Sequence, residues 1–403
     1  MLLSFEQALA TVKEKLAEAE RGVATETLPL DQVWGRILAE DVLADRDYPP
    51  FDRSTRDGFA VRAEDVRAVP VTLACLGEAR AGESFPGAVG PGQCVEIMTG
   101  APLPAGADAV VMVEHVRVQG RRVEVLRAVA RQENVVRQGA EATKGSVVLL
   151  RGRRLGAAEM GLLASVGRAQ VKVFLLPRVA ILATGDEVIP IDQRPGPFQI
   201  RNSNAIALAA QVTAAGGVPW PLGVAPDEKA ALRCLVEKGL EADLLLLSGG
   251  VSVGKYDFGG EVLRELGGEL FIQGVAMRPG KPLAFGRVRG KFFFGLPGNP
   301  VSTLVTFQLF VRPTIAMLGG GQFESPVFLR ARLGQPYRRK LGLTAFVPAR
   351  VEVQSGEPVV TPVAWRGSGD LVGVAGADCF VVIHPPQEEL AAGDWVDVLP
   401  KPM

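Results

Sequence analysis

Glycine-rich and charged segments interrupt the second half of the chain at the points where predicted strands end. They are TGDE at 184–187, SGGVSVG at 248–254 with Asp257 shortly after it, PGKP at 279–282 and PGNP at 297–300. In an open parallel sheet, ligands bind in the crevice beyond the carboxyl ends of the strands, where loop amides and helix N-termini point outward. The spacing therefore predicts one site built from these segments.

The SGGVSVG loop has the composition of an anion-binding turn. Glycines permit a tight backbone whose N–H groups face a phosphate, and serine hydroxyls add further donors. We expect contacts to the substrate from Ser248, Gly249, Gly250 and Ser252. Taken alone, such a loop is more often a plain strand-to-helix turn, so the interpretation depends on its neighbours.

Charged residues of both signs accompany these loops. Arg278 and Lys281 flank Pro279-Gly280 and are suited to a tetrahedral oxyanion or a phosphate. Carboxylates are suited to Mg²⁺ bound beside the same phosphates. We expect the metal ligands to be Asp186, Glu187 and Asp257.

Asp227 has two competing interpretations. It could join the acids around the phosphates, or it could cap the helix EKAALRCLVEKG, and for this residue alone capping is slightly favoured. Asp257 is the better catalytic candidate, with a helix-capping role as its own alternative.

A second polar cluster lies in the first half of the chain, in PPFDRSTRDGFA at 49–60, and a Gly/Pro-rich segment follows it in MTGAPLPAGAD at 98–108. Both could present side chains to a ligand from shaped loops. The alternative is that both are ordinary solvated turns.

The surrounding pattern predicts a multidomain α/β plus β chain. Residues 4–21 read as an amphipathic helix that begins with an S-x-x-Q capping box at Ser4 and Gln7 and ends near Gly22. Short alternating runs joined at Gln119-Gly120 indicate a β-rich region, and alternating strands and helices indicate a parallel α/β sheet. A C-terminal β barrel or sandwich follows.

The expected division assigns each part of the chain to one domain. It comprises an N-terminal helix packing on the α/β domain (1–22), a linking and dimerisation domain (23–45 with 137–172), a β-rich domain (46–136), the α/β domain (173–318) and the C-terminal barrel (319–403).

Composition excludes several classes of function. Lys plus Arg and Asp plus Glu are both 44, so bulk charge favours neither nucleic acid nor a membrane surface. Only two histidines are present, which disfavours histidine triads and three-histidine metal sites. No apolar run approaches the roughly 18 residues of a membrane helix, and the first residues lack a signal-peptide pattern.

The four cysteines, Cys75, Cys94, Cys234 and Cys379, lie far apart and are expected to be reduced core residues. Together with the missing signal pattern, they predict a cytoplasmic protein.

Six ordered segments resemble signatures of the molybdopterin molybdenumtransferase family, which includes bacterial MoeA-type proteins and the gephyrin E domain. They are PPFDRSTRDGFA, MTGAPLPAGAD, LATGDEV, SGGVSVGKYDF, RPGKPLAFG and GLPGNPVS. The resemblance covers nearly the whole chain. It implies that the α/β domain is of the molybdopterin-binding type.

The resemblance also implies a reaction and partners. Adenylated molybdopterin binds with Mg²⁺, molybdate attaches to the dithiolene sulfurs, and AMP is released. The family architecture implies a homodimer with the active cleft between the α/β domain of one subunit and the β domain of its partner. The adenylyltransferase that supplies the substrate is a further candidate partner.

Roles transfer by position. Asp57 and Thr99 match the β-domain side of the site, whereas Glu187, Asp227 and Asp257 match acids around nucleotide and metal. The molybdate pocket is matched by Arg278, Lys281 and Ser302, with Pro282 as a neighbouring contact and Ser368 as its distal wall.

Four departures from the family pattern occur: Ala140 before Glu141 replaces an acid, Gln273 replaces a lysine, Arg278 replaces a lysine, and Pro348 replaces an arginine. Arg350 could compensate for Pro348 if the strand is bulged. The alternatives are a molybdopterin adenylyltransferase, which should be far shorter, and a non-catalytic pterin-binding scaffold.

Overall fold

A computed structural model describes residues 2–19, 22–250, 258–338, 342–387 and 389–401. The chain divides into two compact units. One comprises residues 1–28, 35–39 and 172–403, and the other comprises 29–34 and 40–171. The finer division into domains remains a prediction.

Helix α1 (Phe5–Ala17) begins with the predicted capping box, since the Ser4 side chain accepts the Gln7 N–H and the Gln7 side chain accepts the Ser4 N–H. Its buried face, which includes Phe5 and Leu16, joins the core of the first unit. The helix ends at Ala17, one residue beyond the last residue of that face, and not near Gly22 as expected.

The second unit contains a six-stranded sheet. Its strands are β1 (Gly58–Val61), β2 (Val71–Ala79), β3 (Gln93–Ile97), β4 (Ala109–Met112), β5 (Val116–Gln119) and β6 (Arg122–Val125). They lie in the order β4-β1-β3-β2-β6-β5. The predicted turn at Gln119-Gly120 joins β5 to β6, with Gly120 at φ 61°.

Shorter elements complete this unit. They are the strand pairs Val42–Leu43 with Val147–Leu149 and Arg53–Ser54 with Val135–Val136, the helix α2 (Ala157–Ser165), and the 3₁₀ turns Leu30–Gln32, Ala63–Val66 and Val113–His115. The last of these turns breaks the alternating run 110–118 into two strands with different partners.

The α/β domain is built on β7 (Arg178–Thr184), β8 (Val218–Ala225), β9 (Leu244–Ser248), β10 (Glu269–Gln273), β12 (Ala284–Val288) and β13 (Lys291–Leu296), in the order β8-β7-β9-β13-β12-β10. The strand β11 (Met277–Arg278) lies between β10 and β12 in the chain. The first four strands are parallel, whereas β12 runs antiparallel to both of its neighbours, β13 and β10. The predicted parallel α/β sheet is present, and two further strands make it mixed at one edge, because a tight turn at Arg289-Gly290, both with positive φ, joins β12 directly to β13.

Helices cover both faces of this sheet, so successive side chains along a strand point alternately into two apolar cores. Leu244 and Leu246 face one core, whereas Leu245 and Leu247 face the other. The helices are α3 (Ser203–Ala214), α4 (Lys229–Gly239), α5 (Phe258–Glu265), α6 (Pro300–Thr306) and α7 (Arg312–Leu318), with a π-helical segment Phe307–Val311 joining the last two.

The continuous helix Pro300–Leu318 departs from the expectation that no apolar stretch approaches the length of a membrane helix. By length and mean hydropathy it could cross a membrane, but 83% of its most apolar stretch is buried within the protein. It is a core helix.

The C-terminal strands form a closed barrel, as predicted. They are β14 (Leu329–Leu333), β15 (Thr344–Gln354), β16 (Glu357–Pro362), β17 (Cys379–Ile383) and β18 (Trp395–Pro400), with the short helix α8 (Leu371–Ala375) before β17. The order β15-β16-β14-β18-β17 closes through pairing of β17 with β15. Strand β11 also pairs with the start of β15, which places Arg278 at the edge of the barrel.

All four cysteines are free, but they are not all core residues. Burial raises the pKa of Cys94 to about 12 and that of Cys379 to about 11. Cys234 is exposed, because it lies on the outer face of α4, away from the buried Leu232 and Val236.

We predict that Phe5→Ala lowers the free energy of unfolding of the first unit by about 3 to 5 kcal/mol. The Phe5 ring packs edge-on against Phe310 and Phe346 at centroid distances of 5.8 Å. Phe198→Ala is the control, because Phe198 is 90% exposed. Urea denaturation measures both variants, and an equal loss in the two would contradict this account of the core.

Candidate active site

A cleft of about 720 Å³ opens at the carboxyl ends of the parallel strands. The loops after β7, β9 and β13 line it together with the start of α3. Of the predicted residues, the cleft contains Glu187, Asp227, Ser248, Gly249 and Gly250. Three of the four segments singled out in the sequence thus meet where strand topology predicts.

Glycine at two positions sets the shape of the cleft floor. Gly250 has φ 60°, and a Cβ there would lie 2.5 Å from Thr184 Oγ1. Gly185 has φ 125°, and a Cβ there would lie 2.6 Å from Glu187 Oε2. Glycine is therefore required for the loop after β9 to approach Thr184 and for the Glu187 carboxylate to fold back over the loop after β7.

Asp227 belongs with the acids and does not cap α4. The N-cap position of that helix is Glu228, whereas the Asp227 backbone N–H donates to Asp186 Oδ1 at 2.9 Å. Partial burial raises the pKa of Asp227, and the negative charges of Asp186 and Glu187 raise it further. The capping interpretation is therefore wrong.

The acids do not by themselves form a metal centre. In the part of the chain that the structure describes, no three His, Cys, Asp or Glu side chains are grouped so as to hold a metal ion. Asp257, and with it Ser252, lies outside the described residues, so the predicted ligand set stays a prediction.

Asn204 joins two of the site loops, and sequence reasoning missed it. Its Nδ2 donates to Ser248 Oγ at 2.9 Å and to the Gly298 carbonyl at 2.8 Å. In the sequence, Asn204 is only a polar residue in the first turn of a mostly apolar helix. Such residues are too common to indicate a functional site.

Arg201 was also missed. It precedes α3 and lines the same cleft, and its Nε donates to the Gln193 carbonyl at 3.1 Å. Among the described lining residues it is the one cation.

The N-terminus of α6 forms another wall of the cleft. Asn299 occupies the N-cap position and Pro300 follows it, but the Asn299 side chain does not cap the helix. Its Nδ2 donates instead to Ser368 Oγ at 2.9 Å, while the Val301 N–H donates to the Ser368 carbonyl at 3.0 Å. Ser368 is thereby fixed beside the cleft.

The remaining predicted oxyanion residues lie elsewhere in this unit. Arg278, Lys281 and Pro282 are exposed and do not line the cleft. Ser302 is buried, with 4% exposed. The PGKP loop packs against the helix that contains Ser302, since a Cβ at Gly280 would lie 2.7 Å from Thr306 Cγ2.

The second unit presents the pair Asp57 and Thr99. Asp57 Oδ1 accepts the Thr99 backbone N–H at 2.7 Å and the Thr99 hydroxyl at 2.8 Å. These two hydrogen bonds hold the pKa of Asp57 below its usual value. The loop is therefore a built structure and not merely a solvated turn.

The chain matches family descriptions over most of its length. Residues 3–167 match the MoeA N-terminal region (domain I and II), 180–317 match the "Probable molybdopterin binding domain", and 330–401 match the MoeA C-terminal region (domain IV).

Curated relatives agree. The chain is 36% identical over 384 residues to the molybdopterin molybdenumtransferase of Bacillus subtilis, covering 93% of this chain and 89% of that protein. It is 34% identical over 403 residues to that of Haemophilus influenzae, covering 99% and 98%. The chain belongs to the molybdopterin molybdenumtransferase family. It is an enzyme of molybdenum cofactor biosynthesis.

Solved structures of the family share the fold. A MoeA protein from Pyrococcus horikoshii is 34% identical with a TM-score of 0.73, covering 99% of both chains. Another MoeA structure from Pyrococcus horikoshii OT3 is 30% identical with a TM-score of 0.81, covering 99% of this chain and 100% of that one.

Two departures from the family pattern now have a structural context. Glu141, which follows Ala140, forms an ion pair with Arg53 at 2.8 Å. The strand around Pro348 is not bulged, because β15 pairs with β17 in unbroken register from Ala345 to Ala349. Arg350 nevertheless lies on the same face as Pro348, since side chains alternate along a strand. The structure does not explain Gln273.

We predict that Asn204→Asp destabilises the site, because the substitution removes the amide donor and places a carboxylate oxygen opposite the Gly298 carbonyl. The expected loss is about 1 to 3 kcal/mol of unfolding free energy, together with faster amide hydrogen exchange at Gly249 and Gly298. Gln199→Glu is the matched control, because its Oε1 acceptor for the Gly196 N–H is retained. Unchanged exchange in Asn204→Asp would exclude the bridging role.

We predict that Thr99→Val raises the pKa of Asp57 toward its usual value, because one of its two donors is lost. A carboxylate with a depressed pKa stabilises the folded state above its unfolded-state pKa, and this contribution is lost as pH falls through the folded-state pKa. In the variant this contribution should therefore be smaller, and it should be fully lost at a higher pH than in wild type. Carbon-detected NMR titration of Asp57 measures the change, with the neighbouring Thr55→Val as control; a midpoint equal to wild type would contradict the assignment.

Proposed function

We propose that this enzyme inserts molybdate into adenylated molybdopterin and releases AMP in a Mg²⁺-dependent reaction. The observation that carries the proposal is that the cleft has two chemically different surfaces, one of hydrogen-bond donors and one of carboxylates. Glycine-loop backbone and two helix N-termini line part of it, while the acids Glu187 and Asp227 lie on the wall formed by the loops after β7 and β8.

The phosphates of the adenylated substrate fit the first of these surfaces. The N-termini of α3 and α6 both open into the cleft, and helix N-termini favour phosphate through their free N–H groups and dipole. Arg201 adds a guanidinium donor on the same side. When water adds to the phosphoanhydride and AMP leaves, these donors stabilise the negative charge that develops on the leaving phosphate.

The acids fit a magnesium ion. Mg²⁺ is usually bound through one or two carboxylates together with waters and substrate phosphates, and Glu187 and Asp227, with Asp186 behind them, supply that donor chemistry. Burial raises the pKa of Asp227, and the negative charges of Asp186 and Glu187 raise it further; a divalent cation would relieve the repulsion among these acids. When bound, the ion would neutralise phosphate charge, and Asp257 remains a further proposed ligand.

Molybdate handling is assigned to the PGKP loop and its neighbours. Arg278 and Lys281 carry the positive charge, and Ser302, Pro282 and Ser368 are the proposed polar and shape-defining contacts. Lys281 is exposed and has no ion pair or side-chain hydrogen bond to the described residues, so its ammonium is available to an oxyanion.

We further propose a homodimer that forms in the cytoplasm. An apolar patch supports dimerisation: Leu43 and Val147, which pair on adjacent short strands, are 44% and 48% exposed, and Leu150, directly after the second strand, is 67% exposed. Free cysteines suit a reducing compartment. The resemblance implies that Asp57 of one subunit serves the cleft of the other.

The adenylyltransferase alternative is disfavoured by coverage. Family matches extend from residue 3 to residue 401, whereas that alternative accounts only for the central domain. The two reactions also run in opposite directions with respect to AMP.

The decisive experiment supplies purified protein with adenylated molybdopterin, molybdate and Mg²⁺ and follows AMP and active cofactor. We expect Glu187→Gln to reduce AMP release on the order of 100-fold or more. Lys281→Ala should raise the molybdate concentration required, whereas the exposed control Lys13→Ala should match wild type. A rate of AMP release that does not depend on molybdate, or consumption of ATP in place of AMP release, would refute the proposed reaction.

For the dimer, we predict that Leu150→Glu shifts the protein toward monomer in analytical ultracentrifugation, because a charge cannot be buried unpaired in an apolar interface. Val118→Glu is the control, since Val118 is similarly exposed at 53% but outside the patch. A second test mixes inactive Asp57→Ala and Glu187→Ala proteins by co-refolding. Heterodimers without recovered activity would exclude a shared site.

A further inference from the structure

Two cysteines lie side by side in the six-stranded sheet of the second unit. Strands β2 and β3 are parallel neighbours, and their register pairs Cys75 of β2 directly with Cys94 of β3. Both side chains point to the same face of the sheet, because Cys94 belongs to the buried core of this unit and Cys75 packs against that core. The proposed reaction assigns a role to neither thiol.

Register partners on neighbouring strands satisfy the distance that a disulfide requires. Adjacent strands lie about 4.8 Å apart, and the Cα atoms of disulfide-bonded cysteines are usually about 4.4 to 6.8 Å apart. The Cys94 thiol is already hydrogen-bonded to that of Cys75. The other contact of Cys75 is weak, since its Sγ donates to the Gly77 carbonyl at 3.4 Å. The backbone therefore already places the two sulfur atoms within reach of each other.

The two thiols differ in exposure and in acidity. Cys75 is partly exposed, whereas Cys94 is buried. Burial, and to a lesser extent the neighbouring Cys75, raises the pKa of Cys94 to about 12. Oxidation of a thiol follows its thiolate character and its exposure. Cys75 is therefore the residue that an oxidant attacks first, and Cys94 is placed to react with the product.

The loop between these two cysteines is tied to the segment that supports Asp57. Val89 in the loop donates its N–H to the Ala105 carbonyl at 2.7 Å. Ala105 lies in the segment 98–108, in which Thr99 donates both hydrogen bonds to Asp57. A bond between the two thiols would close the loop at its base and would thereby restrain this support.

We propose that Cys75 and Cys94 form a peroxide-sensitive modification site, at which a reversible disulfide fastens β2 to β3 and restrains the loop 80–92. In a reducing compartment such a bond is transient, since cytosolic disulfides are usually catalytic or redox-sensing. A dithiol reductant reverses it by thiol–disulfide exchange.

The reaction needs one hydrogen peroxide for each disulfide. The Cys75 thiolate attacks one peroxide oxygen, so the O–O bond breaks, Cys75 becomes a sulfenic acid, and hydroxide leaves and takes up the proton that Cys75 had released. The Cys94 sulfur then attacks the Cys75 sulfur. The S–S bond forms, the S–O bond breaks, and the oxygen leaves as water with the proton of the Cys94 thiol. Two thiols are oxidised, and one peroxide is reduced to two waters.

The test is mass spectrometry of the full-length protein before and after treatment with hydrogen peroxide. Wild type should lose two hydrogens without gaining oxygen, and dithiothreitol should restore both thiols. Trypsin cleaves after Arg80, between the two cysteines, so the oxidised protein should yield a linked pair of peptides. Conversion of Cys75 to a sulfinic acid without linked peptides would overturn the site. An unreacted pair under conditions that oxidise the exposed Cys234 would overturn it as well.

Variants separate this pair from the other cysteines. Cys75→Ser should abolish the linked peptides, whereas the control Cys234→Ser should give them at the wild-type yield. Linkage of Cys75 to Cys234, in place of Cys94, would contradict the assignment. The wild-type mass spectrum decides the question even if Cys75→Ser folds poorly.

Amide hydrogen exchange tests the consequence for the loop. In oxidised wild type, residues 80–92 should exchange roughly 3- to 10-fold more slowly than in the reduced protein, because the cross-link removes open conformations of the loop. Peroxide-treated Cys75→Ser is the control and should exchange as the untreated variant does. Equal exchange in linked and reduced wild type would refute the restraint. These measurements do not use turnover, so failure of the proposed reaction would leave the modification site standing.

Discussion

The close approach of the loops after β7 and β9 is the constraint on which the site depends. A Cβ at Gly249 would lie 3.1 Å from the Thr184 carbonyl, and one at Gly250 would lie 2.5 Å from the Thr184 hydroxyl. Because both positions also have positive φ, only glycine allows the contact without strain. The glycine loop stays close to the sheet, the volume above it is left for a ligand, and Asn204 can reach both Ser248 and Gly298.

Local patterns predicted local structure well, and long-range contacts accounted for the differences. The capping box at Ser4 and the turn at Gln119-Gly120 involve residues within a few positions of one another, so their chemistry was readable. Asp227 illustrates the limit, because its partner Asp186 is 41 residues away and a residue before a helix looks like a cap. The role of Asn204 was harder still to predict, because its two acceptors lie in loops that only the strand order brings together.

Two carboxylates of the proposed reaction are tuned in opposite directions. Two donors from Thr99 stabilise the charged form of Asp57, so it stays ionised at neutral pH. Burial and neighbouring acids disfavour the charged form of Asp227, which makes that group responsive to a nearby cation. Perturbed acids of this kind concentrate at functional sites, although structural networks perturb pKa values as well. Here the contrast separates a carboxylate whose charge is stabilised by its hydrogen bonds from one whose charge is opposed by its surroundings.

The barrel contributes more than a stabilising domain to this arrangement. Strand β11, which carries Arg278, pairs with β15, and β15 carries Arg350. Residues 366–372 follow β16, and Ser368 among them is hydrogen-bonded to the start of α6. Arg278 and Ser368, two of the proposed oxyanion contacts, therefore lie on segments that pair with or follow barrel strands. The PGKP loop, which carries Lys281 and Pro282, packs instead against the helix that contains Ser302. The cleft at the strand ends of the parallel sheet is the proposed site of the phosphates and the metal. The proposed function thus divides this unit, with the nucleotide assigned to the strand ends of the sheet and the oxyanion to the segments around Arg278, Lys281 and Ser368.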